Sequence, residues 1–172
     1  MKALVTGGAG FIGSNLVDAL VERGDEVTVV DDISTGKREN LERALSKGAK
    51  LEEIDIRDAE LVSDVVGRTR PDVIFHLAAQ IDVRKSVADP AADARINVEG
   101  TANVLSAAQK HGVRRIVNSS TGGAIYGEGR QIPAPEDHPS APEAPYGLSK
   151  FCAEKYCEIF TRMHGLSTVS LR

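Results

Sequence analysis

No stretch of this 172-residue chain approaches the roughly 20 consecutive apolar residues that span a bilayer. Nothing at the start reads as a signal peptide, because Met1 leads straight into an apolar run. A cytoplasmic protein is therefore expected. Internal repeats, low-complexity tracts and linkers are also lacking, so residues 1–172 are read as one domain. That length provides one substantial core and is too short for two full-sized domains. Cysteine is scarce, with only Cys152 and Cys157. Their spacing on one predicted helix turns them away from each other, which excludes a local disulfide and marks both as reduced thiols. The four histidines, His76, His111, His138 and His164, lack the spacings that gather metal ligands, and no metal is predicted. Neither sign of charge dominates. A formal net charge of −4, with acids and bases interspersed, gives no electrostatic case for nucleic acid.

What is present begins at the N-terminus. Apolar Ala3, Leu4 and Val5 precede Thr6-Gly7-Gly8-Ala9-Gly10-Phe11-Ile12-Gly13, and Leu16, Val17, Leu20 and Val21 follow with helical period. This reads as strand, glycine turn, helix. Gly7 allows the tight turn, Gly10 lets the backbone approach a pyrophosphate, and Gly13 lets the helix pack close to the strand. The helix N-terminus adds free amides and a positive dipole end, so the pattern predicts dinucleotide binding. A second strand, Val27 to Val30, ends in Asp31-Asp32. A carboxylate there accepts from a ribose 2′-hydroxyl and repels a 2′-phosphate, which selects NAD over NADP. Lys37 and Arg38 pull the other way, since cations after the second strand would suit a 2′-phosphate, but Asp31 comes first.

Strands and helices then alternate. Ser34 to Asn40 is turn-like, Leu41 to Ser46 a short helix, and Leu51 to Ile54 a third strand. Asp58 is placed to cap a helix through Leu61, Val62, Val65 and Val66, which Pro71 ends. Val73 to Phe75 is a buried strand leading into His76-Leu77-Ala78-Ala79-Gln80, whose small residues would let backbone lie near a ligand. Pro90 opens a long helix that runs to Gly112, Val113 to Val117 is strand five, and Asn118-Ser119-Ser120-Thr121 follows it. Tyr126 to Pro145 reads as a long functional loop, and Thr168 to Leu171 as a sixth strand. This order predicts an α/β fold with a doubly wound parallel sheet, a three-layer αβα Rossmann arrangement. Every motif falls at the carboxyl end of a strand, where such sheets bind ligands.

Between the last two of these elements, Tyr146 and Lys150 stand four apart, on one face of a predicted helix. An ammonium beside a phenol favours the phenolate, so Lys150 is expected to lower the Tyr146 pKa and make it a general base for an alcohol during hydride transfer.

Together these segments resemble the extended short-chain dehydrogenase/reductase superfamily, and within it the nucleotide-sugar epimerases of the NAD-dependent epimerase/dehydratase family. The resemblance rests on Val5 to Gly13, Asp55-Ile56-Arg57-Asp58, Phe75 to Gln80, Ser119 to Gly123, Ile125-Tyr126-Gly127 and Pro145 to Lys150. It implies epimerisation at C4 of a UDP-hexose, UDP-galactose to UDP-glucose, through a transient 4-keto sugar. Tyr146 would be the base, Lys150 would hold the nicotinamide ribose, and Thr121 would hydrogen-bond the reacting oxygen, with Ser120 as the alternative hydroxyl. NAD contacts are implied at Gly7, Gly10, Phe11, Ile12 and Gly13, at Asp31, Asp32, Ser34, Thr35 and Gly36, and at Asp55 and Ile56. Further contacts are implied at Leu77, Ala78, Ala79, Gln80, Asn97 and Ser119, besides Tyr146 and Lys150. Sugar dehydratases carry an Asp-Glu pair after the catalytic Thr, where this chain has Gly122-Gly123, which argues against elimination of water. A decarboxylase of the same fold is a further alternative, as is an NAD-binding fragment without activity. The resemblance also implies a homodimer pairing the helices from about Pro90 to His111 and from Tyr146 to His164. Family members continue past the Leu-Arg of strand six into a substrate domain, which this 172-residue sequence does not contain.

Overall fold

The architecture comes from a computed structural model that describes residues 1–128 and 132–172. Residues 129–131, part of the loop expected between Tyr126 and Pro145, lie outside the described residues. Six strands form one parallel sheet in the order β3-β2-β1-β4-β5-β6. They are β1 (Lys2–Thr6), β2 (Glu26–Val30), β3 (Lys50–Glu52), β4 (Val73–His76), β5 (Arg115–Ser119) and β6 (Ser167–Leu171). This is the expected doubly wound arrangement, with the order reversing between β1 and β4.

The register explains where a ligand must sit. Thr6 pairs with both Val30 and His76, and His76 pairs with Asn118, so β1, β2 and β4 end in one row and β5 runs one residue beyond it. The residues that follow that row rim a single crevice.

Strand alternation sorts the apolar side chains to two faces. Val5, Val27 and Val29 point to one face, where α1 (Phe11–Glu22) and α2 (Glu42–Ser46) cover them with Val17, Leu20 and Ala44. Leu4, Val30 and Ile74 point to the other, under α3 (Ala59–Thr69) and two long helices further along the chain, with Val62, Leu105 and Cys157 among the partners. Asp58 caps α3 as expected, accepting from the amides of Glu60 at 3.1 Å and Leu61 at 3.0 Å.

Three departures from the sequence reading are local. The long helix after Pro90 is α5 (Pro90–Ala94) and α6 (Gly100–Lys110) joined by a π-wound stretch at Arg95–Glu99. A short α4 (Val83–Ala88), capped by Asp82, precedes it and carries too little periodicity to be read from sequence. Inside the expected loop, Gly123–Tyr126 forms one turn, α7, before α8 (Pro145–His164).

Candidate functional site

The β1–α1 turn is built from backbone in conformations that side chains would block. Gly7 sits at φ +69, and a Cβ on it would lie 2.5 Å from the Ala78 nitrogen. A Cβ on Gly13 would run into the Gly7 carbonyl and lie 2.7 Å from the Gly8 Cα, so the helix approaches the turn only because residue 13 is glycine. Gly10 is the N-cap of α1 and brings no side-chain cap. The first amides of a twelve-residue helix are thus left facing the crevice, a ready site for a phosphate.

Beside this turn, Asp31 is buried at the end of β2. Its Oδ2 accepts from the Ala9 amide at 2.9 Å and its Oδ1 from the Ile33 amide at 2.9 Å. Each carboxylate oxygen keeps a lone pair for a further donor such as a ribose hydroxyl. Ile33 holds φ 56, a strained conformation for a β-branched residue, which folds the following loop back over the crevice. The exposed Asp32 is engaged by Ser34, whose amide donates to its Oδ1 at 3.0 Å. Arg38, one of the two cations that argued for a 2′-phosphate, is turned to Glu53, Nη1 to Oε1 2.7 Å.

The crevice has a volume of about 910 Å³, near the upper end of ligand clefts. Gly7, Gly10, Phe11, Ile12 and Gly13 line it from the glycine turn. Asp31, Asp32, Ser34, Thr35 and Gly36 line it beyond β2, and Asp55 and Ile56 beyond β3. Leu77, Ala78, Ala79 and Gln80 face it after β4, and Ser119, Ser120, Tyr146 and Lys150 close the far end. Two of the sequence candidates lie outside this lining. Asn97 is buried one layer back, where its Oδ1 accepts from the Gln80 amide at 2.8 Å and its Nδ2 lies 3.0 Å from Ser149 Oγ. Thr121 is not in the lining either, but its hydroxyl lies near enough to the Tyr146 phenol to favour the phenolate.

The two hydroxyls that sequence left as alternatives are separated here. Ser120 Oγ donates to the Glu154 carboxylate, which is buried on α8 and also takes a two-pronged bond from Arg172, Nε to Oε1 2.9 Å and Nη2 to Oε2 2.6 Å. With its proton committed there, Ser120 has none to offer a substrate oxygen, whereas Thr121 faces Tyr146.

One expectation needs correcting. The Tyr146 phenol is held above its ordinary value, first by burial, with the nearby Thr121 hydroxyl opposing the rise and the Asp93 carboxylate adding to it. Lys150 does not pull it down, because the lysine's own charge is destabilised: burial lowers its pKa to about 8. Lys150 Nζ has no hydrogen bond to any other described residue and stands at the crevice wall with its donors free.

Sequence reasoning missed Asp93 and Lys85, both of which line the crevice. Asp93 is buried, its Oδ1 accepts from Gln80 Nε2 at 2.9 Å, and its Oδ2 has no partner among the described residues. Its position four before Asn97 on one helix face was the available signal. Lys85 carried none. Among the described residues no cluster of His, Cys, Asp or Glu is placed to hold a metal ion, and no helix is long and apolar enough to cross a membrane.

The walls therefore fit a dinucleotide in shape and donors: uncapped amides for a pyrophosphate, Asp31 for one ribose and free Lys150 for the other. The family model described as "NAD dependent epimerase/dehydratase family" matches residues 3–172. A UDP-glucose 4-epimerase of Mycolicibacterium smegmatis is 45% identical over 168 residues, 96% of this chain and 53% of that protein. A putative UDP-glucose 4-epimerase of Methanocaldococcus jannaschii is 43% identical over 98% of this chain and 54% of its own length. Among solved structures, the UDP-glucose 4-epimerase of Thermotoga maritima with UDP-glucose superposes with a TM-score of 0.95 at 47% identity, covering 100% of this chain and 55% of that one. The Thermus thermophilus UDP-glucose 4-epimerase in complex with NAD gives 0.94 at 44% identity, covering 100% and 54%. The chain spans about half the length of the curated relatives it matches.

Proposed function

The chain belongs to the NAD dependent epimerase/dehydratase family, and from that premise we propose that it binds NAD and forms the catalytic half of a nucleotide-sugar 4-epimerase acting on UDP-hexoses. The observation that carries the reading is one crevice with the uncapped, glycine-built N-terminus of α1 at one end and Tyr146 with Lys150 at the other. When bound, NAD supplies a hydride acceptor, and later donor, for the sugar C4.

The remaining work falls to the chain's own groups. The α1 amides hold the pyrophosphate, Asp31 takes a ribose hydroxyl, and the diversion of Arg38 to Glu53 favours NAD over NADP. Lys150, with a pKa near 8 and free donors, grips the second ribose while it remains charged. Thr121 hydrogen-bonds the reacting sugar oxygen, and Tyr146 removes its proton as C4 becomes a ketone, then returns it. Because burial raises the phenol pKa, Tyr146 needs added positive charge nearby to act as a base, and a bound oxidised nicotinamide would supply it. Gly122-Gly123 leave no acid or base beside Thr121 for a dehydratase step.

The test is interconversion of UDP-galactose and UDP-glucose by a full-length protein carrying this chain. Release of carbon dioxide or water from a nucleotide-sugar would replace the epimerase reading, and NAD binding with no turnover would reduce the chain to a binding module. We propose further that two copies associate through α8 and the helix from Pro90, supported by exposed Tyr156, Ile159 and Met163 along α8. Sedimentation as a monomer would end that idea. A cytoplasmic location is proposed on the same family grounds, with cell fractionation as its check.

A further inference from the structure

Behind the crevice a chain of hydrogen bonds passes through the buried His76, and proton counting settles its direction. Thr101 Oγ1 donates to the Asn97 carbonyl at 2.6 Å, which uses its only proton. The same oxygen lies 3.0 Å from His76 Nε2 and must accept, so Nε2 carries the hydrogen. In a neutral ring Nδ1 is then the acceptor, and Thr6 Oγ1 donates to it at 2.7 Å. Thr6 Oγ1 in turn accepts from the Ala78 amide at 3.2 Å. Each hydroxyl gives one proton and receives one, and the ring does the same. Burial, reinforced by the Lys150 charge, pushes the imidazolium pKa down to about 3, so the neutral ring persists through the physiological range.

The ends of this chain lie at opposite ends of the site. Thr6 is the last residue of β1, and the Ala78 nitrogen is the atom that a Cβ on Gly7 would strike. Asn97 grips Gln80 at both backbone groups, its Oδ1 2.8 Å from the amide and its Nδ2 3.0 Å from the carbonyl. The same Nδ2 reaches Ser149, which donates to the Tyr146 carbonyl at 3.0 Å and precedes Lys150. We propose that His76, fixed in its Nε2–H tautomer, is a positioning residue that holds the glycine turn, the Leu77–Gln80 loop and the Tyr146–Lys150 turn of α8 in one register across the dinucleotide site. Its functional readout rests on the NAD-binding reading above; the hydrogen-bond direction does not.

Nitrogen-15 NMR of the histidine-labelled protein tests the direction without any ligand. The expected result is His76 with Nε2 protonated, Nδ1 unprotonated and no titration between about pH 8 and pH 5, against the ordinary value near 6.5. The opposite tautomer, or titration in that range, overturns the proposal. Equilibrium binding of NAD tests the consequence. Thr101→Val strands the ring N–H and should weaken binding by about tenfold or more, while Thr101→Ser keeps the hydroxyl and should bind as the parent does. Equal affinity of the two variants overturns the positioning role. If Thr101→Val does not fold, Thr101→Ser alone decides, because loss of binding with the hydroxyl retained also contradicts it. A parent protein that does not bind NAD at all would strike the proposed function instead, and the tautomer measurement would then decide the His76 assignment.

Discussion

The two ends of the crevice are made of different material. At the β1–β2 end the ligand-facing groups are mainly backbone: the uncapped amides of α1, the Gly7 turn, and Asp31 held in place by two further amides. At the β5–α8 end they are the side chains of Tyr146 and Lys150, with Thr121 behind the phenol, and their properties depend on burial and on neighbours such as Asp93. The first end is rigid because its geometry is covalent and steric. The second is chemically poised, with a phenol raised and an ammonium lowered by desolvation. A change at the backbone end should therefore act on folding and binding together, and a change at the side-chain end should separate stability from catalysis.

Tyr146→Phe should break the comparison most cleanly. Turnover in the epimerase assay should drop by about 10²- to 10⁴-fold with NAD affinity little altered, and an unchanged rate would refute the role of the phenol. Gly13→Ala follows, because its Cβ has the Gly7 carbonyl and the Gly8 Cα in the way and the neighbours are backbone. A loss of about 3 kcal/mol in denaturant unfolding, together with loss of NAD binding, is expected; a variant as stable as the parent would show that the turn has slack.

Lys150→Met should move stability and function in opposite directions, gaining on the order of 2 kcal/mol while NAD binding weakens. The sign follows from linkage. The folded-state pKa is near 8 and the ordinary value is 10.5, so the unfolded chain binds the extra proton between them. The parent's penalty is complete below about pH 8 and vanishes above 10.5, and the variant's advantage should fade across that window. An advantage that stays constant from pH 7 to 11 would mean that desolvation of the ammonium is not its source.

Smaller still is the contrast between the two hydroxyls. Thr121→Ala should lower turnover by about tenfold or more through the lost hydroxyl beside the phenol and the proposed bond to the sugar oxygen, whereas Ser120→Ala should cost mainly stability by removing one donor from Glu154. The reverse ranking would reassign the catalytic hydroxyl. Arg38→Ala should leave the melting temperature unchanged, since both members of its ion pair are exposed at 61% and 58%. A drop in NADP affinity in that variant would contradict the reading of Arg38 as diverted.

The backbone end was legible before any coordinates because its requirements are local. A glycine at positive φ, a helix start without a cap, and an acid at the end of the next strand all depend on residues close in sequence. The Asp58 cap was readable for the same reason, and the alternation of strands and helices implied the doubly wound parallel sheet. The π-wound stretch at Arg95–Glu99 was not, because one extra residue in a turn barely disturbs an apolar period, yet it is where Asn97 sits. Asp93 reads in sequence like any other acid of a helix, yet its buried, half-satisfied carboxylate bears on Tyr146.

By itself the sequence determined a parallel doubly wound sheet, a glycine-built anion site and a Tyr146–Lys150 pair on one helix face. Only the tertiary structure decided that the tyrosine is raised rather than lowered, that Ser120 answers to Glu154, and that His76 carries its proton on Nε2. Spacing along a chain sets which groups meet, and that follows from local geometry. Protonation is set by how much water each group has lost and by who donates to it, which depends on every element packed around it.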